Sequence, residues 1–175
     1  ETTMKIRRIL SVFLLSVLLA ALFLTPCAYA LEEPTLDARN ALLVDVTADR
    51  VLYGYKEKEK AYPASITKVM TALLVLEAVD RGELSLSQPI TASNVAVTSI
   101  TADSSTAGIV ADEVLSVEEL LYCLLIVSAN ESANVLAEAV AGTIPDFVDK
   151  MNQRAQELGC EGTHFVNPNG LHDPN

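Results

Sequence analysis

Apolar and polar positions follow three rhythms along the chain. The first is a nearly continuous apolar run, Ile9 to Leu24, broken only by Ser11 and Ser16. It follows the bases Lys5, Arg7 and Arg8 and precedes Pro26 and the small-residue triplet Ala28-Tyr29-Ala30. A basic start, an apolar stretch short of the about 20 residues a spanning helix needs, and a cleavage-like triplet predict a secretory signal rather than a membrane anchor. Pro26 argues against lipid attachment at Cys27. Residues 1–30 are therefore read as a signal peptide with upstream residues, Glu1-Thr2-Thr3 preceding the expected initiator Met4, and residues 31–175 as the exported part.

The second rhythm is that of a hairpin. Ala41 to Val46 is a β-rich run, Thr47 to Arg50 a turn, and Val51 to Tyr55 a returning strand. The charged tract Lys56 to Lys60 reads as a solvated loop. From Pro63 a helical rhythm takes over, with Ile66, Val69, Met70, Leu73, Leu74 and Leu76 apolar and an end near Arg81-Gly82. Apolar on almost every side, this helix is expected to be central and buried. Thr91 to Ala111 has no period and is expected to cross the surface. Ser116-Val117-Glu118-Glu119 is a capping box leading into Leu120 to Val127. After a break at Ser128-Ala129-Asn130, a helix is predicted from Glu131 to Ala141, stopped by Gly142. Another starts at Thr143 and Pro145, with Phe147, Met151 and Leu158 on one face and Gly159 as its stop. The tail, Thr163 to Leu171, is turn-rich, and no internal repeat is present.

Composition narrows the classes. Of 175 residues, 12 are basic and 23 acidic, giving a net charge of −11 that offers no footprint for nucleic acid. A 50% hydrophobic content excludes a disordered acidic tail and leaves room for one globular domain. Cys123 and Cys160 allow one disulfide in an oxidising compartment, although Cys123 lies in an apolar run that suits a buried thiol. His164 and His172 have no metal-binding spacing, so neither metal nor cofactor is expected.

Chemistry concentrates on the central helix. Ser65-Ile66-Thr67-Lys68 sets a hydroxyl and an amine three residues apart, on one helix face. Ser65 falls in the first turn, where free N–H groups favour a developing oxyanion. Lys68 is expected among Ile66, Val69 and Met70, where desolvation lowers its pKa and fits it to take the serine proton. Ser128-Ala129-Asn130 sits at a helix break and can point into a cleft; the competing reading makes Asn130 a helix N-cap. Ser132-Ala133-Asn134 repeats the S-x-N form, but inside a helical pattern, so Ser128 and Asn130 are preferred.

These residues resemble a known family. S-x-x-K followed about sixty residues later by S-x-N is the signature of penicillin-binding proteins and class A β-lactamases. Tyr62 to Ala72, Leu121 to Asn130 and Thr163 to Leu171 together are closest to the low-molecular-mass penicillin-binding proteins, serine-type D-alanyl-D-alanine carboxypeptidases. The resemblance implies an α+β, β-lactamase/transpeptidase-like fold, an antiparallel sheet flanked by helices, with the hairpin as its first two strands. It implies that Ser65 attacks the terminal D-Ala-D-Ala bond of a peptidoglycan stem peptide and that Lys68 deprotonates Ser65. Ser128 would relay a proton to the leaving amine, and Asn130 would bind Lys68 and the substrate amide. β-Lactam antibiotics would acylate Ser65. The Asn167 to Leu171 loop is implied to be a structural hallmark near the site, without a chemical step. The family's third motif, K-T-G on a strand, is absent. The chain is thus expected to be truncated before the C-terminal strands, to lack the segment that associates with the membrane, and to leave apolar surface on the central helix uncovered. The rivals are a class A-like β-lactamase, for which no E-x-x-x-N base is found past Ser128, and a non-catalytic penicillin-binding sensor domain.

Overall fold

A computed structural model describes residues 2–23 and 33–173 of the chain. They fall into two compact units, Glu1–Glu57 and Lys58–Asn175. The first contains helix α1 (Thr2–Phe23) and a hairpin of β1 (Ala41–Asp45) and β2 (Arg50–Tyr55). No helix among the described residues is long and apolar enough to cross a membrane. Pro26, Cys27 and the triplet Ala28 to Ala30 lie outside the described residues. In the hairpin Ala41 faces Tyr55 and Asp45 faces Arg50, with a register shift between Leu43 and Val44. Strand β1 stops one residue short of the expected Val46 because the Asp45 carboxylate turns back. It accepts from the amides of Thr47 and Ala48, both at 3.0 Å.

The second unit is mostly helical. A 3-10 turn (Ala64–Thr67) runs into α2 (Lys68–Asp80), so the predicted central helix starts with a tighter turn than expected. A small antiparallel pair follows from β3 (Pro89–Thr91) and β4 (Val114–Ser116), and between them lies α3 (Asn94–Thr98). The stretch expected to be featureless therefore carries structure. Ser93 caps α3 by accepting the Ala96 amide at 3.0 Å, and Ala92, Ala96 and Ile109 are buried. Small side chains gave no hydrophobic rhythm, yet they are what lets α3 approach α5 closely.

Helix α4 (Val117–Tyr122) opens with the predicted capping box. The Ser116 hydroxyl accepts from the Glu119 amide at 3.2 Å, and the Glu119 carboxylate accepts from the Ser116 amide at 2.8 Å. Its end widens into a π-helical turn, Cys123–Val127, before α5 (Asn130–Ala141) and α6 (Ile144–Glu157). One core joins Ala72 and Val75 of α2 with Leu120, Leu124, Ala133 and Leu136. A second joins Leu74 and Ala137 with Phe147 and Met151 of α6. Complete burial of side chains as large as Phe147 or Met151 contributes about 1.5–3 kcal/mol each.

Two expectations of the pattern fail here. The central helix is not buried all round: Thr71, Ala72, Leu74, Val75 and Ala78 of α2 face the core, whereas Ile66 in the preceding turn is 72% and Val69 64% exposed. Leu158 caps the end of α6 and is exposed instead of lining its buried face. Cys123 is half-buried and Cys160 exposed, and both thiols are unpaired.

Candidate active site

Polar side chains inside a core need partners, and the place where they gather is informative. Among the described residues, the buried polar and charged ones are Thr67, Lys68, Thr71, Asn130, Glu131, Ser132, Asn134 and Asn169. All lie on α2, the preceding turn, the first half of α5, or the loop 167–171.

Lys68 is their centre, 2% exposed. Its Nζ donates to Asn130 Oδ1 at 2.7 Å, to the Asn169 carbonyl at 2.8 Å and to Ser65 Oγ at 3.1 Å. The contacts arise from sequence separations of 62, 101 and 3 residues. Its surroundings are not the Ile66 and Val69 side chains that the sequence suggested, which point outward. The walls are amide groups of α5 and of the 167–171 loop. Desolvation lowers the Lys68 pKa from the ordinary 10.5, and the negative charge of Glu131 partly opposes it. Two of the three partners are carbonyl oxygens, which can only accept. A neutral amine donating to both has its lone pair left for the third partner, the Ser65 hydroxyl. The geometry therefore suits Lys68 to take a proton from Ser65.

Ser65 is exposed to solvent, and the backbone before it is strained, with Ala64 at φ 49°. The loop 167–171 closes against that turn. Gly170, at φ 83°, approaches so closely that a Cβ would stand 1.9 Å from the Ala64 carbonyl oxygen. Only glycine fits there. The loop is held by Asn167 Oδ1, which accepts from the Gly170 amide at 2.7 Å, and by Thr71 Oγ1, which donates to the Pro168 carbonyl at 2.6 Å. Sequence reading gave this loop no chemical step, yet its Asn169 carbonyl is a direct partner of Lys68. Asn169 Nδ2 also donates to Asn134 Oδ1 at 3.2 Å.

Ser128 and Asn130 come from the predicted break. Ser128 is left-handed, φ 62°, where the π-helical turn ends, and is half-buried. The competing reading of Asn130 as an N-cap fails. Ala129 occupies that position, and Asn130 is the first helical residue, its side chain on Lys68. Ser132 and Asn134 follow the helix inward as expected. Among the described residues no group of His, Cys, Asp and Glu could hold a metal ion.

This arrangement has counterparts. The family model described as D-alanyl-D-alanine carboxypeptidase matches residues 28–175. The chain is 34% identical to the D-alanyl-D-alanine carboxypeptidase DacF of Bacillus subtilis over 171 residues, 94% of this chain but 43% of DacF. It superposes on penicillin-binding protein 5 of Haemophilus influenzae with a TM-score of 0.79 at 31% identity, covering 83% of this chain and 42% of that one. Penicillin-binding protein D2 of Listeria monocytogenes, solved in its ampicillin-bound form, gives 0.66 at 31% identity, covering 82% of this chain and 56% of that one. The chain thus spans about two fifths of the length of the curated relatives it matches. Its helices and antiparallel strands are the corresponding part of the transpeptidase-like fold of penicillin-binding proteins. With its buried lysine beside an exposed serine, its match over residues 28–175 and this shared fold, the chain belongs to the D-alanyl-D-alanine carboxypeptidase family of serine peptidases.

Proposed function

We propose that the protein to which this chain contributes is a serine carboxypeptidase that removes the terminal D-alanine from peptidoglycan stem peptides through an acyl-enzyme. One observation carries the reading: Lys68 Nζ stands 3.1 Å from Ser65 Oγ while carbonyl oxygens occupy its other two positions. Lys68 accepts the Ser65 proton as Oγ bonds to the carbonyl carbon of the penultimate D-alanine. Ser128 passes a proton to the departing D-alanine amine as the peptide bond breaks. Asn130 holds Lys68 in line and offers its amide to the substrate. Water then releases the shortened peptide from Ser65 and restores its hydroxyl. General-base help of this kind is worth about 10²–10⁴ in rate.

β-Lactams are proposed to acylate Ser65 as mimics of the same peptide, and ampicillin bound to the Listeria relative supports that expectation. A peptidoglycan substrate places the protein in the cell envelope. The basic, apolar leader at residues 1–30 is proposed to direct its export. Incubating the full-length protein with diacetyl-Lys-D-Ala-D-Ala and measuring free D-alanine tests the reading, with the Ser65→Ala variant as control. Release with slow loss of a penicillin adduct from Ser65 is expected. Rapid penicillin turnover would point to a β-lactamase instead, and adduct formation without D-alanine release to a sensor.

A further inference from the structure

Glu131 is 1% exposed, lies in the first turn of α5 next to Asn130, and reaches Lys68 through its charge. One of its oxygens, Oε1, gathers four donors: Thr106 Oγ1 at 2.6 Å and the amides of Ala107 at 2.7 Å, Gly108 at 3.1 Å and Ile109 at 3.4 Å. The other, Oε2, is buried without a hydrogen-bond partner. The segment so held is irregular and largely exposed, and Gly108 takes φ 79° to let successive amides converge. The same segment touches the site directly, because the Ser105 carbonyl accepts the Asn130 amide at 2.9 Å. A continuous path therefore runs from the strap 105–109 through Asn130 to Lys68 and Ser65.

We propose that Glu131 is a positioning residue, whose buried carboxylate clamps the strap 105–109 onto the first turn of α5 and thereby fixes Asn130 against Lys68. The inference rests on the acyl-transfer reading for its effect on rate, but the clamp itself does not. A carboxylate suits the task because it accepts several bonds on one oxygen and sits at the positive end of the α5 dipole. Its charge also bears on the amine. Lys68 meets neutral Ser65 on its own turn, neutral Asn130 on α5 and neutral Asn169 on the loop, and the charge that reaches it is that of Glu131.

Three variants of the full-length protein test this. Glu131→Leu removes both acceptor and charge, Glu131→Gln keeps an oxygen for the strap amides but removes the charge, and Thr106→Val loosens the clamp from its exposed side. Hydrogen exchange at the amides of 107–109 reads the clamp, and acylation by a fluorescent penicillin across pH reads the site. In Glu131→Leu, exchange should quicken and acylation fall, each by about tenfold or more. Thr106→Val should move both in the same direction by less, and it guards against a misfolded Glu131→Leu. In Glu131→Gln the strap should stay protected while the alkaline rise of acylation shifts to lower pH, because the charge that favours the Lys68 ammonium is gone. A buried residue of purely structural value would lower the melting temperature and leave that pH profile in place. Unchanged acylation and profile in folded Glu131→Leu and Thr106→Val would overturn the proposal. Failure of the unaltered protein to take up penicillin would sink the acyl-transfer reading instead. Exchange would still judge the clamp: strap amides protected by Glu131 support it, and equally fast exchange in every variant refutes it.

Discussion

The tripeptide Ser-Ala-Asn occurs twice within seven residues, at 128–130 and 132–134, and the two copies do different work. Ser128 lies outside the helix, left-handed at the end of a π-helical turn, and Asn130 is the first residue of α5. Ser132 and Asn134 lie one turn further in. Ser132 Oγ donates to the Leu120 carbonyl at 2.6 Å, joining α5 to α4, and Asn134 Nδ2 donates to the Ala96 carbonyl at 2.9 Å, joining α5 to α3. Position relative to the helix start, not residue type, separates them. Yet the separation is incomplete. Asn130 and Asn134 are four residues apart and so share a face of α5. Asn134 meets Asn169, whose carbonyl meets Lys68. The inner copy is scaffold, but scaffold one bond away from the amine.

The largest effect expected is that of Lys68→Met, which should slow penicillin acylation of Ser65 by about 10³-fold in a folded protein, measured by adduct formation over time. Persistent acylation would leave Asn130 with nothing to orient and erase the distinction between the copies. The intact site should also show the pH signature of this lysine. Burial lowers its pKa below 10.5, so acylation should rise with pH through a value under that of a free lysine. Stability follows the same sign. The native state binds the proton less well than the unfolded chain, so the penalty on folding is full below the folded value and fades as pH climbs to 10.5.

Asn130→Ala should come next, lowering acylation about 10- to 100-fold by letting the amine drift from Ser65, with little change in melting temperature. Asn134→Ala should do the reverse. It leaves the Ala96 carbonyl and the Asn169 amide without a partner, at a cost of about 1–3 kcal/mol in stability, while folded molecules acylate within a few-fold of the parent. If Asn134→Ala hurts acylation more than stability, the inner copy belongs to the chemistry.

What the sequence made legible was local. The capping box at Ser116 and the Gly142 stop are each set by residues within a few positions of one another, and each formed as expected. The serine–lysine pair was visible for the same reason, its members being three apart. What was not legible depends on distant residues. Lys68 finds Asn169 across 101 positions, and Glu131 finds its strap across 22 to 25. No hydrophobic rhythm announces either contact. Helix α3 escaped notice because its buried residue is an alanine, and the π-helical turn because an apolar run looks alike in any helical register. Ile66 and Val69 misled in the opposite way: their apolarity suggested walls for Lys68, whereas the walls are amides.

Ser132→Ala is the mildest test and the sharpest one for the comparison. Ser132 is wholly buried, and its hydroxyl donates to the Leu120 carbonyl. That carbonyl keeps a backbone donor, the Cys123 amide, so it is not orphaned when the hydroxyl goes. The loss should therefore fall near the low end for a buried hydrogen bond, about 0.5–1.5 kcal/mol, seen as a small drop in denaturation midpoint with the denaturant slope unchanged. Acylation of the folded protein should not move. The bond joins α5 to α4 just before the π-helical turn that delivers Ser128, so a shift there would be felt at the outer serine. A fall in acylation without loss of stability would mean that the inner serine sets the geometry of the outer one. The two copies would then be a single device and not a working motif beside its structural echo.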